Sequence, residues 1–316
     1  MDGGRRTTAG RRPDGRDGRP LAYPDSRFAT VDGVDVHYLD NADGTGATHG
    51  TEPSGRVGAL LSHHFYGSAA TWRPVLRRLD GVYAAALDRP GFGLTQRPPA
   101  THRDGDANPY TRAGSARLGW RLLDHLSVTG AVLVGSSAGG THALEMYARR
   151  PDDVRAIVLI GAAITGDVGA PPPLRPALRT RAGRAIGPQV IRRLAGEVTV
   201  DRVTRSWADA SRAGPGNLEP YRRMLTAEGW ERGLWEVFTA EPPPDLRWLL
   251  PRIEVPTLVV TGDRDPVVRP TASRRTAAAI PGARLEVIDD CGHTPQEERP
   301  DRLAGILREF FADALA

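Results

Sequence analysis

The sequence contains no lysine, so all 42 of its basic residues are arginine. These arginines are spread along the 316 residues, and the formal net charge is only +4. They do not alternate with stacking aromatic residues, and no helix-turn-helix or RNA-recognition pattern is present. The basic charge therefore does not indicate a nucleic-acid partner.

Long apolar runs are also missing. Apolar runs such as 157–160 and 257–261 have the length of buried strands, whereas a helix that crosses a bilayer needs about 20 apolar residues. The first 20 residues contain arginine pairs without an apolar segment behind them, which is not the form of a secretion signal. We interpret residues 1–25 as a disordered tail, and we expect a cytoplasmic protein without membrane contact.

Cysteine occurs once, at Cys291, so an intramolecular disulfide is excluded. Ligand spacings typical of metal sites are missing too, and we expect neither a metal nor an organic cofactor. Cys291 lies two residues before a candidate catalytic histidine, and we interpret it as a small buried residue at a strand end.

Apolar strands alternate with helices over most of the chain. The alternation runs from residue 26, through a hairpin at Asp32-Gly33 and a Gly/Thr-rich loop at 41–55, to residue 164; it resumes from 251 to 316. This order predicts an α/β fold with a doubly wound, mostly parallel sheet. The predicted strands after the hairpin are 57–63, 82–88, 131–135, 154–160, 255–261 and 284–288.

Residues 165–250 interrupt this alternation. They carry three consecutive prolines at 171–173 and four of the six tryptophans, with helical but no strand periodicity. The segment is therefore predicted to be an all-helical lid subdomain inserted between two strands. A small helical unit must bury something, so its tryptophans favour core packing, with Trp207, Trp230 and Trp235 as candidates for lining a pocket.

The segment TGAVLVGSSAGGT at 130–142 contains the pattern G-x-S-x-G from Gly135 to Gly139. It follows a predicted strand and precedes a predicted helix, which is the context of a nucleophile elbow. The nucleophile of such a turn has a positive φ, so its neighbours must be small, and the helix N-terminus directs backbone N–H groups towards developing negative charge. Ser137 is therefore the predicted nucleophile of a serine hydrolase.

A serine nucleophile needs a base that is oriented by an acid. The strand at 255–261 is followed by Asp263 and Asp265, and the strand at 284–288 is followed by His293. The order Ser, Asp, His is typical of a doubly wound sheet with a nucleophile elbow. We predict His293 as the base, with Asp265 or Asp263 as the acid.

Residues 27–314 resemble the α/β-hydrolase superfamily, especially its lidded members related to meta-cleavage-product hydrolases and small carboxylesterases, and five motifs carry this resemblance. They are HHF at 63–65, DRPGFG at 88–93, GSSAGG at 135–140, GDRDPVV at 262–268 and GHTPQEERP at 292–300. The resemblance implies Asp265 as the acid. It also implies the backbone N–H groups of Ala138 and Phe65 as the oxyanion hole.

The sequence departs from this family at one informative position. Relatives usually have His-Gly where this chain has His63-His64. An imidazole at position 64 either tilts the oxyanion loop or adds a side chain to the pocket wall, so His64 is a candidate pocket residue. His63 is interpreted as structural.

The resemblance implies an enzyme that cleaves an ester, thioester or lactone through an acyl-enzyme, and the Trp-rich segment 165–250 favours a medium-sized hydrophobic small molecule as its substrate. Carbon–carbon bond hydrolysis of the meta-cleavage-product type is the alternative, and a non-hydrolytic binding or cyclising member of the fold is a third reading. A serine nucleophile argues against the haloalkane dehalogenase and epoxide hydrolase branches, which use aspartate there. The sequence does not determine the oligomeric state.

Overall fold

The computed structural model describes residues 21–42, 56–99, 105–165, 169–242 and 244–315, without the side chains of residues 195 and 197. Eight strands form one sheet: β1 (Arg27–Val31), β2 (Val34–Asp40), β3 (Arg56–Ser62), β4 (Tyr83–Leu87), β5 (Val128–Ser136), β6 (Val154–Ile160), β7 (Thr257–Gly262) and β8 (Arg284–Ile288). Their order is β1-β2-β4-β3-β5-β6-β7-β8. Only the β1–β2 and β2–β4 pairs are antiparallel. The predicted doubly wound, mostly parallel sheet is confirmed.

The hairpin between β1 and β2 has the turn that its sequence indicates. Asp32 and Gly33 both have a positive φ, of 50° and 76°. This is the conformation of a two-residue type I′ turn, for which Asp-Gly is a preferred pair because glycine carries no Cβ.

The described helices are α1 (Arg73–Leu76), α2 (Arg112–His125), α3 (Ala138–Arg149), α4 (Arg175–Leu178), α5 (Arg181–Arg205), α6 (Pro215–Met224), α7 (Trp230–Ala240), α8 (Pro270–Ala279), α9 (Pro295–Glu298) and α10 (Pro300–Leu315). Helices cover both faces of the sheet. Leu133 of β5 packs in the apolar cluster under α2 and α3, whereas its neighbours Val132 and Val134 pack in the cluster under α1 and α10. Strands buried on both faces are continuously apolar, as the sequence of β5 is.

Helices α4 to α7 lie between β6 and β7 in the chain. An isolated bridge pairs Thr165 with Asp245 at the two ends of this segment, which we call the insertion (residues 165–250). All other regular structure in its described residues is helical. None of the described helices is long and apolar enough to span a membrane.

The first described residues pack against the rest of the protein. The ring of Tyr23 is buried, with the guanidinium carbons of Arg73 and Arg223 each 4.2 Å from its centroid. Residues 21–25 thus connect the core to the insertion, whereas the sequence placed the start of ordered structure near Ser26. The remainder of the predicted tail, residues 1–20, lies outside the described residues.

Candidate active site

Ser137 occupies a strained turn between β5 and α3. Its φ of 52° and ψ of −116° are unusual for any residue with a side chain. A Cβ at Gly135 would lie 2.2 Å from the carbonyl oxygen of Gly139, and a Cβ at Gly139 would lie 2.1 Å from that of Ser62. Both motif glycines are therefore required by the close approach of backbone to backbone.

The peptide that follows Ser137 is held from its carbonyl side. The Ser137 carbonyl oxygen accepts hydrogen bonds from the N–H groups of Ala163 (3.0 Å) and Gly140 (2.9 Å). Because a trans peptide is planar, the N–H of Ala138 points the opposite way. It is the first N–H of α3 and has no acceptor within its own helix, so it is available to donate a hydrogen bond to a ligand.

The structure places Asp265, and not Asp263, against His293. The Asp265 Oδ2 is 2.8 Å from His293 Nδ1, and its Oδ1 accepts the N–H groups of Val267 and Val268 at 2.8 and 2.9 Å. An Nδ1–H directed at a carboxylate leaves Nε2 as the proton acceptor. Asp263 is exposed and instead accepts the N–H of the buried Cys291 at 3.1 Å.

The loop of His293 is braced by the insertion. The N–H of His293 donates to the carbonyl of Ser206 at 2.8 Å. Glu298 Oε2 accepts the N–H of Gly292 (2.8 Å) and that of Ala208 in the insertion (2.9 Å). His293, the predicted base, is thus positioned by the Ser206 carbonyl of the insertion and by the Glu298 carboxylate.

The predicted oxyanion loop after β3, residues 63–65, is held by His63 and Arg89. His63 Nδ1 is 2.8 Å from the His64 carbonyl, its Nε2 accepts the N–H of Arg89 at 3.1 Å, and burial and the nearby Arg89 charge lower its pKa to about 3, so it is neutral. Arg89 Nη2 also donates to the carbonyls of His63 (2.9 Å) and His64 (3.4 Å). Since the His64 carbonyl is held on this side, the N–H of Phe65 points away from it. Among the described residues, none accepts a hydrogen bond from the Phe65 N–H.

Two alternatives were predicted for the His64 imidazole, namely that it tilts the loop or that it adds a side chain to the pocket wall. In the structure, His64 is part of the cavity wall. Its Nε2 is 3.0 Å from the Tyr221 hydroxyl, and its Nδ1 is 3.2 Å from Gln296 Nε2. Gly67 makes room for the ring, because a Cβ at that position would lie 2.9 Å from the imidazole. The roles of Arg89, Tyr221 and Gln296 were missed at the sequence level, where the only signal was the unusual His64 itself.

The predicted nucleophile, base and oxyanion donors meet in one cavity of about 580 Å³. Its wall includes Ser137, Ala138, His293, His64, Phe65, Arg89, Tyr110, Arg112, Thr165, Val203, Val237, Glu241 and Val267. No group of three or more His, Cys, Asp or Glu side chains in the described ranges is arranged to hold a metal ion.

The three candidate tryptophans do not line this cavity, which corrects the sequence-based expectation. Trp207, Trp230 and Trp235 are all buried within the protein. Trp230 packs with other apolar side chains near Phe92, and Trp235 packs against Gly187, where a Cβ would lie 2.3 Å from its ring. Large rings fill the spaces between the helices because a small helical unit has few other ways to form a core.

Comparisons with known proteins show the family and the fold of this chain. The sequence model of the family described as alpha/beta hydrolase fold matches residues 60–300. The chain is 32% identical over 234 residues to a 2-hydroxymuconate semialdehyde hydrolase of Pseudomonas putida, covering 72% of this chain and 76% of the relative. It is 26% identical to a poly(3-hydroxyalkanoate) depolymerase of Ectopseudomonas oleovorans, covering 75% and 78%. The crystal structure of the enol-lactonase from Burkholderia xenovorans LB400 superposes with a TM-score of 0.69 at 25% identity, covering 90% of this chain and all of that one.

Proposed function

This chain belongs to the α/β-hydrolase fold family, and on that premise we propose that it cleaves an ester-type bond, in an ester, thioester or lactone, of a medium-sized hydrophobic small molecule. One observation carries the proposal. Ser137 lies on a strained turn in the same cavity as His293, which is paired with Asp265 at 2.8 Å. A nucleophile, a base and an orienting acid are the parts that acyl transfer requires.

The proposed reaction begins with attack of Ser137 Oγ on the carbonyl carbon while His293 Nε2 takes its proton. Asp265 stabilises the resulting imidazolium. The N–H groups of Ala138 and Phe65 stabilise the negative oxygen of the tetrahedral intermediate. His293 then protonates the leaving group, and a water molecule activated by the same imidazole hydrolyses the acyl-enzyme.

The cavity supports a substrate of moderate size. A volume of about 580 Å³ lies within the range of roughly 300–1,000 Å³ that is typical of sites for drug-sized ligands. Phe65, Val203, Val237 and Val267 supply apolar wall for an acyl group. Because Val203, Val237 and Glu241 come from the insertion, we propose that the insertion acts as the lid of the site.

Carbon–carbon bond hydrolysis is a second candidate. The relative that is 32% identical is named as a hydrolase of 2-hydroxymuconate semialdehyde. In addition, Arg89 and Arg112 line the cavity, and guanidinium groups are suited to the carboxylate of such a compound. The same serine and histidine would serve this reaction.

The test combines labelling with turnover. We expect a fluorophosphonate probe to label the wild type, and Ser137→Ala to abolish labelling and lower kcat on p-nitrophenyl esters by about 10⁶-fold. Ser273→Ala is the matched control, since Ser273 is a buried serine of α8 outside the cavity wall. A wild type that is neither labelled nor active would contradict the proposal. Faster turnover of a dienol carbon–carbon substrate than of esters with rising acyl length would favour the second candidate.

A further inference from the structure

A chain of buried hydrogen bonds connects the oxyanion loop to the insertion and to α9. Gln296 Nε2 is 3.2 Å from His64 Nδ1, His64 Nε2 is 3.0 Å from the Tyr221 hydroxyl, and that hydroxyl is 2.6 Å from Glu297 Oε2. The exposed fractions are 0% for Gln296, 4% for His64, 1% for Tyr221 and 7% for Glu297. Bonds made in such a dry environment hold their groups firmly, because water does not compete for them.

The chemistry of the four groups sets the direction in which hydrogen bonds are donated from one group to the next. An amide nitrogen only donates, so Gln296 donates to Nδ1 of His64. The imidazole then carries its proton on Nε2 and donates it to the Tyr221 oxygen, which donates its own proton to Glu297. Each bond therefore depends on the next one.

The two central groups of this series of hydrogen bonds lie on different parts of the fold. Tyr221 belongs to α6 of the insertion, whereas His64 belongs to the loop after β3. His64 also provides the carbonyl of the peptide whose N–H, that of Phe65, points away from Arg89. The His64 ring and this peptide are both attached to the Cα atom of His64. The orientation of the ring therefore affects the position of the peptide.

We propose that Tyr221 is a positioning residue, whose hydroxyl fixes the His64 side chain and thereby holds the Phe65 N–H where the oxyanion forms. In this arrangement the insertion contributes to the oxyanion hole as well as covering the cavity. The proposal rests on the serine-hydrolase function proposed above. It adds that removing a hydroxyl from α6 weakens transition-state stabilisation without changing substrate contacts, because Tyr221 does not line the cavity.

Tyr221→Phe keeps the ring and removes the hydroxyl. We expect kcat on a p-nitrophenyl ester to fall about tenfold, since a small displacement of one oxyanion donor has this order of effect, while KM is unchanged. The affinity for a trifluoromethyl ketone, which forms a tetrahedral adduct, should fall by the same factor. In a His64→Gly background, Tyr221→Phe should have no further effect on kcat, because the link through which it acts is gone.

Tyr147→Phe is the matched control. Tyr147 is a buried tyrosine of α3 whose hydroxyl bonds to the backbone of Arg252 and Glu254, away from the cavity. Its loss should lower the melting temperature without changing kcat. If Tyr221→Phe does not fold, Gln296→Met removes the opposite bond to the same imidazole and should show the same fall in kcat at constant KM.

Hydrogen exchange over residues 62–67, measured without substrate, separates this inference from the proposed function. We expect faster exchange in Tyr221→Phe and no change in Tyr147→Phe. The inference would be overturned if Tyr221→Phe exchanged at the wild-type rate over these residues. It would also be overturned if Tyr221→Phe lowered kcat equally in the wild-type and His64→Gly backgrounds. An inactive, unlabelled wild type with the expected exchange pattern would instead overturn only the catalytic reaction.

Discussion

The turn at Ser137 and the loop after β3, which carries the predicted oxyanion donor Phe65, both line the same cavity, but different groups hold them. At the elbow, the glycines at 135 and 139 permit backbone contacts with Ser62 and with one another, and the Ser137 carbonyl is held by nearby backbone N–H groups. At the loop after β3, the Gly67 N–H holds the His64 carbonyl at 3.0 Å. Most of the other holding groups there are side chains from distant parts of the chain, those of Arg89, Tyr221 and Gln296.

This difference explains why one loop is visible in the sequence and the other is not. Backbone contact imposes a steric rule on adjacent positions, and such a rule appears as a short motif. Side chains that reach across the fold can be placed anywhere in the chain, and here they come from residues up to 232 positions away from His64. Three predictions address the contrast.

The largest effect is expected at the elbow. Gly139→Ala places a Cβ 2.1 Å from the Ser62 carbonyl oxygen, and backbone on both sides prevents relaxation. We expect loss of ester hydrolysis and destabilisation by about 3 kcal/mol, measured by urea unfolding. Gly305→Ala in α10 is the control, because a Cβ added at that position would have no neighbouring atom within 4 Å. This substitution should stabilise the protein by about 0.5–1 kcal/mol. Wild-type stability of Gly139→Ala would contradict the steric account.

A smaller effect is expected at the oxyanion loop. Arg89→Met removes the guanidinium donors to the His63 and His64 carbonyls, and we expect kcat to fall about 100-fold, as for loss of one oxyanion donor. Arg97→Met is the matched control, because Arg97 is also largely buried and bonds to the carbonyls of Gly93 and Thr95 outside the cavity wall. Steady-state kinetics on both variants make the comparison. Equal losses of kcat would mean that Arg89 acts only on stability.

The smallest effect concerns pH. Burial raises the pKa of Glu297 from 4.5 to about 8, against the opposing hydrogen bond from Tyr221. The folded protein therefore holds a proton that the unfolded chain releases, so this contribution to stability is complete below pH 4.5 and is lost as the pH rises through about 8. Glu297→Gln cannot titrate, and its melting temperature should fall less than that of the wild type over this range. Parallel melting curves against pH would show that Glu297 does not titrate there.

Much of the fold could be predicted because its signals are local. The apolar strand at Val154–Ile160, the hairpin at Asp32-Gly33 and the helix after Ser137 follow from patterns of a few residues, and all three are present. The tryptophans of the insertion were harder to assign. A large apolar side chain is suited to the core of a helical unit and also to the wall of a pocket. Only the packing of the helices decides which of the two locations it occupies.

Local patterns in the sequence were sufficient to predict the strands, the turn at Ser137 and the order Ser, Asp, His, because each depends on residues close in sequence at the end of a strand. The tertiary structure decided the rest. It paired His293 with Asp265 in preference to Asp263, buried Trp207, Trp230 and Trp235 away from the cavity, and bonded His64 to Tyr221. The family motif at 262–268 had implied Asp265, but the burial of the tryptophans and the His64–Tyr221 bond depend on distances between segments far apart in the chain, which no pattern of neighbouring residues encodes.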